Sequence, residues 1–299
     1  MRPLSELMDA LTSESAARAL RVLDDERRLT AFIPELEAGR GFTQPEKHYY
    51  TVLDHNLAAV TAMEAATGAG ADGDEMRSVL SWTDIDEALG REIEGLPLMA
   101  LLRLAALVHD VAKPATATIV EGALRFPRHG PTGSLILRER LPDLGFGHQA
   151  TDFIARLVRY HLRPHELVKA WPATDHAIRR FTADLDGYVL PLMLLNVSDG
   201  MATRGPGYTR QNFRMHVGLV NYVVARCWAA AQEDDPPLVT GEELMTALDL
   251  DSGRLLGRVL KAVRAAQDEG RVREPETALA LARELLAEYR EEDRPRTDA

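Results

Sequence analysis

The chain predicts an all-α fold, and three observations carry that expectation. Apolar residues recur at three- and four-residue intervals over long stretches, Ala, Leu, Arg and Glu fill much of the rest, and aromatic residues are 6% of the chain. Those fillers are strong helix formers, and the spacing gives each helix one apolar face. In order, the pattern places helices at 4–24, 46–66, 74–89, 97–112, 132–141, 147–161, 173–184, 187–202, 208–231, 241–248, 254–269 and 275–291. The first helix runs up to the acidic pair at Asp24–Asp25, and Thr67-Gly-Ala-Gly-Ala-Asp-Gly-Asp74 is a loop that separates the second and third. Pro114 stops the fourth. One place reads as strand: Thr116–Val120 and Ala123–Phe126 flank Glu121-Gly122 as a short β-hairpin. Near the end, Thr240 with Glu243 three residues on forms a capping box.

Glu233-Asp-Asp-Pro-Pro237 is the clearest boundary, because two prolines end the helix before it. The expected division is an N-terminal helical extension over 1–45, a main domain over 46–232, a small helical C-terminal segment over 238–291 and a tail over 292–299.

Composition excludes several classes of function. The 299 residues hold 35 Lys plus Arg against 46 Asp plus Glu, a formal charge of −11, which argues against a protein that coats nucleic acid or binds DNA non-specifically. Hydrophobic residues at 45% and charged residues at 27% are the balance of a soluble globular protein. The single cysteine, Cys227, rules out an intramolecular disulfide and a multi-cysteine zinc site. No apolar run reaches the length of a membrane span, and the opening MRPLSELMDALTSES lacks the apolar core of a signal peptide, so a cytoplasmic location is expected. On that ground the sequon Asn196-Val-Ser198 is dismissed. Cys227 with Trp228, and Tyr49, Tyr50 and Val52, read as packing.

The nine histidines are more informative by position than by number. LVHDVAKP ends an apolar helix with His109 and Asp110, a pair that suits a first-row divalent metal. Lys113, four residues after His109, returns to the same helix face. His48 and His55 lie seven apart on one face. His129 stands just before a helix start and His161 at a helix end. His161 and His165 imitate the spacing of a helical zinc site, but Pro164 biases Arg163 out of the helix and no Glu follows His161, which excludes that reading. Asp199 emerges from an apolar helix and needs a partner, for which a metal is one candidate. His148, His176 and His216 follow no motif and are expected at the surface.

The ordered series His55, His109-Asp110, His129, His161, Asp199 resembles the HD-domain metal-dependent phosphohydrolases, and implies an HD-domain helical bundle. Within them it is most similar to the HD domain and following helical segment of bacterial tRNA nucleotidyltransferases, the CCA-adding enzymes. The similar stretches are VLDHNLAAV, LAALVHDVAKPAT, LRFPRHGPTGS, LVRYHLRPH and LLNVSDGMATRG, with LVTGEELMTALDLDSGRLLGRVLKAVRAAQDEGRV beyond them. The resemblance runs from about Lys47 to about Leu286. Two departures stand out. Only 46 residues precede Lys47, and they read as helix. Asp72-Gly-Asp74 imitates the paired aspartates of a catalytic head but sits in a loop, so nucleotide addition is not expected. Gly130 stands where many such relatives have an acidic residue.

The resemblance implies that His55, His109, Asp110 and Asp199 hold one metal, and that Asp110 bridges to a second held by His129 and His161. Mn, Ni, Fe, Zn and Mg all suit such a shell. Two such ions stabilise attacking and leaving oxygens at phosphorus. Lys113, Arg204 and Arg163 are candidates for gripping phosphate, Arg204 by a bidentate contact. His165 is a candidate to protonate a leaving group or bind phosphate. The implied activity is hydrolysis of phosphate esters of nucleotides or RNA ends, such as 2′,3′-cyclic or 2′-phosphates. The rivals are hydrolysis of another small nucleotide and a non-catalytic module that binds tRNA or nucleotide.

Overall fold

Helices dominate the computed structural model, which describes residues 4–46, 48–169, 172–232, 236–268 and 270–292. The stretch expected as one helix over 4–24 is two, α1 (Leu4–Thr12) and α2 (Ala16–Asp25). Hydroxyls end the first: Thr12 Oγ1 donates to the Met8 carbonyl at 2.7 Å and Ser13 Oγ to that of Ala10 at 2.8 Å. A distant side chain starts the second, since the Ala16 and Ala17 amides donate to Glu64 Oε1 at 2.6 and 3.3 Å. Next come α3 (Leu29–Phe32), a 3-10 turn at Pro34–Gly39 and α4 (Val52–Thr67), which starts six residues later than expected.

The expected helix over 74–89 also divides, into α5 (Ala71–Val79) and α6 (Ile85–Leu89), the latter capped by Asp84 accepting from the Glu87 amide at 2.8 Å. Asp72-Gly-Asp74 therefore lies in the first turn of α5 rather than in a loop. There its carboxylates favour the helix N-terminus and Asp72 pairs with Arg210.

Two hairpins are present among the described residues where one was expected. β1 (Glu92–Ile93) and β2 (Leu96–Pro97) turn through Glu94-Gly95, and β3 (Thr118–Val120) and β4 (Ala123–Arg125) through Glu121-Gly122. Both turn residues have positive φ in each case, 53° and 76° in the first and 52° and 74° in the second. Two-residue strands are too short for an alternation signal, which is why the first hairpin does not show in the sequence.

Between the hairpins run α7 (Leu98–Val108) and the short α8 (Lys113–Thr116). α7 is buried on nearly every side and packs against α1, α4, α10 (His148–Tyr160) and α13 (Val189–Arg204). Its last turn is shorter than expected. The chain leaves the helix at His109, so Pro114 does not end α7 but occupies the first turn of α8, and His109 and Lys113 do not share a helix face. Flanking this centre, α4 packs along α13, and α9 (His129–Leu144) packs along α10. The remaining elements are α11 (Arg163–Lys169), α12 (Asp175–Leu185), α14 (Arg210–Gln232), α15 (Gly241–Leu248), α16 (Arg254–Asp268) and α17 (Pro275–Glu292).

The chain forms two compact units, Met1–Ala170 with Ala183–Arg226, and Trp171–Thr182 with Cys227–Ala299. In the second, Leu244, Val259, Val263, Ala278 and Ala282 form a core of their own. The Thr240–Glu243 capping box is made in full. Cys227 is buried, whereas Trp228 is 59% exposed. Residues 233–235 of the acidic boundary and 293–299 of the tail lie outside the described residues. No described helix is long and apolar enough to cross a membrane.

Candidate metal centre

Five stretches of the first unit bring six buried side chains to one point. α4 supplies His55, the turn after α7 supplies His109 and Asp110, the start of α9 and end of α10 supply His129 and His161, and α13 supplies Asp199. They fall into two groups whose donor atoms lie within 4.8 Å of one another: His55, His109 and Asp199, and Asp110, His129 and His161.

Asp110 faces both groups with different oxygens. Its Oδ2 lies 3.4 Å from His55 Nε2 and 3.3 Å from His109 Nε2, while Oδ1 lies 3.2 Å from His129 Nε2 and 3.6 Å from His161 Nε2. Asp199 Oδ1 is 3.2 Å from His55 Nε2 and 3.7 Å from His109 Nε2.

Local backbone fixes the histidine tautomers. The Nδ1 atoms of His109, His129 and His161 lie 2.9, 2.8 and 2.7 Å from the carbonyls of Ala106, Phe126 and Val158. A carbonyl can only accept, so Nδ1 carries a proton, and whenever the ring is neutral Nε2 presents a lone pair. His129 Nε2 and His161 Nε2 are 3.1 Å apart, as are His55 Nε2 and His109 Nε2. In the His129–His161 pair both facing nitrogens are acceptors, an arrangement that favours a cation shared between them. The separation suits two nitrogens that bind one ion at about 2.1 Å and nearly at right angles.

Glycines make that approach possible. Gly130 lies so close to α10 that a β-carbon there would meet the carbonyl oxygens of Val158 and Arg159, each at 3.0 Å. At Gly133 it would meet Val158 Cγ1 at 3.1 Å. A side chain at 130 would therefore require the α9–α10 contact beside His129 and His161 to give by a few tenths of an ångström.

The electrostatics favour positive charge at this point. Asp110 is 1% exposed; its Oδ2 is ion-paired with Lys113, and its Oδ1 accepts no hydrogen bond from a described residue. Burial alone would raise its pKa. The Lys113 and His109 charges outweigh burial and hold the carboxyl well below the usual range. Asp199 is likewise held low against burial by His109 and His55. His109 is drawn up to about 10, since Asp110 and Asp199 overcome burial, whereas His161 is pushed down to about 3 by burial and by His129 and His109. A donor set of four imidazoles and two ionised carboxylates, with unsatisfied lone pairs pointing inward, fits a divalent first-row ion.

The phosphate-gripping candidates divide. Lys113 Nζ is buried, 2.5 Å from Asp110 Oδ2 and 2.7 Å from Gln44 Oε1. Gln44 therefore fixes the lysine, and nothing in its local sequence marked it. Arg204, exposed in the last turn of α13, makes no hydrogen bond or ion pair to a described residue. Arg163 is committed elsewhere: its Nη1 pairs with Asp184 Oδ2 at 2.6 Å. His165 is exposed, with Nδ1 3.3 Å from the amide nitrogen of the buried Asn196, one turn before Asp199 on α13.

Three further residues stand behind the donors. Thr203 Oγ1 donates to Asp199 Oδ1 at 3.1 Å, and the His48 ring lies edge-on to that of His55, centroids 5.7 Å apart. His216, expected at the surface, is half-buried: it packs over Gly200 and its Nδ1 is 2.7 Å from the Tyr208 hydroxyl. His148 is exposed, and the His176 side chain lies outside the described residues.

Comparison with known proteins agrees with the geometry. Residues 84–186 match the HD domain family. That segment holds His109, Asp110, His129 and His161, while His55 and Asp199 reach the same point from outside it. The chain is 32% identical over 284 residues to a CC-adding tRNA nucleotidyltransferase of Thermus thermophilus, covering 94% of this chain and 55% of that protein. It is 29% identical over 294 residues to an A-adding tRNA nucleotidyltransferase of Deinococcus radiodurans, covering 96% of this chain and 58% of the relative. A bifunctional uridylyltransferase/uridylyl-removing enzyme of a Bradyrhizobium species is 26% identical over 204 residues, 67% of this chain and 19% of that enzyme. The chain thus spans little more than half the length of the two nucleotidyltransferases. With the family match and the paired His/Asp groups together, residues 84–186 carry an HD domain, and over most of its length the chain is similar to tRNA nucleotidyltransferases.

Proposed function

We propose that this protein is a metal-dependent phosphohydrolase that acts on nucleotides or RNA ends, such as 2′,3′-cyclic or 2′-phosphates. The observation that carries the proposal is the position of Asp110, one oxygen toward each of two buried donor groups. His55, His109 and Asp199 would hold one divalent ion and His129 and His161 a second, with Asp110 serving both. Bound there, a pair of divalent ions supplies Lewis-acid polarisation of phosphate oxygens and a water activated near neutral pH.

The chain's own residues would do the rest. The backbone carbonyls hold the three Nδ1 protons away from the reaction and keep the imidazoles from turning. Lys113, pinned between Asp110 and Gln44, brings a positive charge whose orientation is set before substrate arrives. Arg204 is available to grip a non-bridging oxygen pair. Asn196 donates to His165 Nδ1, which leaves Nε2–H as a hydrogen-bond donor that would hold a phosphate oxygen. Arg163 would have to leave Asp184 to take part, and we assign the phosphate to Lys113 and Arg204.

The names of the relatives support the substrate class. Two add to tRNA, and the third both attaches and removes a uridylyl group, a nucleotide held through phosphorus. The test is a panel of 2′,3′-cyclic nucleotides, nucleoside 2′-monophosphates and bis(p-nitrophenyl) phosphate with the Mn2+- or Ni2+-loaded full chain. Hydrolysis that disappears on chelation is the expected result. No hydrolysis of any member would overturn the proposal. A second reading, a non-catalytic tRNA-binding module, is favoured by the 94% coverage of this chain by a tRNA-acting relative. Binding of tRNA that persists in chelator, without hydrolysis, would select it.

A further inference from the structure

The phosphohydrolase proposal leaves open what tells the site that its substrate is a nucleotide. Tyr49, expected in the core, is 63% exposed. It sits on the loop before α4, and two tethers fix it to the donor groups. Its amide donates to the Thr203 carbonyl at 2.9 Å, and the Thr203 hydroxyl donates to Asp199 Oδ1 at 3.1 Å. On the other side, its neighbour His48 lies edge-on against His55.

The ring is held as well as the backbone. It rests on Gly205, where a β-carbon would come within 2.8 Å of two ring carbons. Tyr50 braces it edge-on, with centroids 4.8 Å apart and planes at 84°. An aromatic ring supported from beneath and from one side, with more than half its surface open, gains no stability from that exposure. Arg204, between Thr203 and Gly205, is exposed in the same short run of chain and makes no hydrogen bond or ion pair to a described residue.

We propose that Tyr49 is the nucleobase-stacking platform of this site, a specificity-determining residue that works with Arg204 on the phosphate. Every base has a π-face, so a rigid ring gives affinity for nucleotides of any sequence, and a neighbouring guanidinium adds phosphate contact. A phosphate ester without a base would use Arg204 and Lys113 and gain nothing from Tyr49. The substrate class is therefore a nucleotide with an unpaired base, free or at a single-stranded RNA end. This inference rests on the phosphohydrolase proposal and deepens it.

Equilibrium dialysis of AMP and of ribose 5-phosphate against the Mn2+-loaded full chain separates the two ideas, run beside the hydrolysis panel. The expected result is AMP binding about tenfold tighter than ribose 5-phosphate. Tyr49→Ala removes that preference, whereas Tyr49→Phe and Tyr49→Trp keep it. In hydrolysis, Tyr49→Ala raises KM for a nucleotide more than it changes kcat. A preference that survives Tyr49→Ala overturns the inference. Equal binding of the two ligands by the unmodified chain overturns it too, and leaves the phosphohydrolase proposal standing if the panel is hydrolysed. Neither ligand bound and no ester hydrolysed would overturn both.

Discussion

The two donor groups share Asp110 but are built differently. His129 and His161 come from paired helices, α9 and α10, that touch through Gly130 and Gly133, and both rings are locked by backbone carbonyls. The group of His55, His109 and Asp199 gathers from α4, α7 and α13 across the bundle, and His55 Nδ1 is buried with no hydrogen-bond partner among the described residues. One group is set by close backbone approach. The other is set by core packing and is steadied by side chains, Thr203 on Asp199 and His48 on His55. The contrast teaches that a single donor set can rest on two kinds of support, which fail in different ways.

The largest effect is expected where the groups meet. Asp110→Asn should abolish tight binding of both ions and lower phosphoesterase activity by about a thousandfold or more, measured by elemental analysis and phosphate release. Next, His161→Ala and His55→Ala should each remove one ion and leave the other, with activity lost in both by roughly a hundredfold or more. If either variant loses both ions, the groups are not separable and the comparison fails.

Gly130→Ala sharpens the contrast without touching a donor. Its β-carbon meets two backbone carbonyls, so overpacking should cost about 1–3 kcal/mol in denaturant unfolding and weaken the His129–His161 group. The His55–His109–Asp199 group should keep its ion in the same preparation. The smallest effect belongs to Thr203→Val, which removes the hydroxyl from Asp199. Metal affinity of the first group should drop by about tenfold, with stability little changed. An unaltered affinity in direct metal titration would show that Asp199 needs no such orientation.

His109, Asp110, His129 and His161 were legible in the sequence because they stand at helix ends, where apolar periodicity stops on a His or Asp, whereas His55 and Asp199 lie within α4 and α13 and were legible only as members of the ordered series. The all-α class, the hairpin at Glu121-Gly122 and the Thr240 capping box were legible for similar local reasons. What was hidden depends on residues far apart in the chain. Glu64 starts α2 from another helix, and Gln44 reaches Lys113 from an irregular loop. Tyr49 read as packing together with Tyr50 and Val52, yet it is 63% exposed, with its ring seated on Gly205. Gly130 looked like a missing acid, yet a β-carbon there would crowd the α10 carbonyls of Val158 and Arg159 at 3.0 Å. Arg163 carried a phosphate-binding chemistry that Asp184 claims.

The central claim is that two cation sites share Asp110. Chelator-stripped full chain and its His161→Ala variant, titrated with Mn2+ and analysed for bound metal, test it most directly. The account predicts about two ions per chain for the unmodified protein and one for the variant. An unmodified chain that binds no divalent ion, or a variant that keeps as many as the parent, would contradict it.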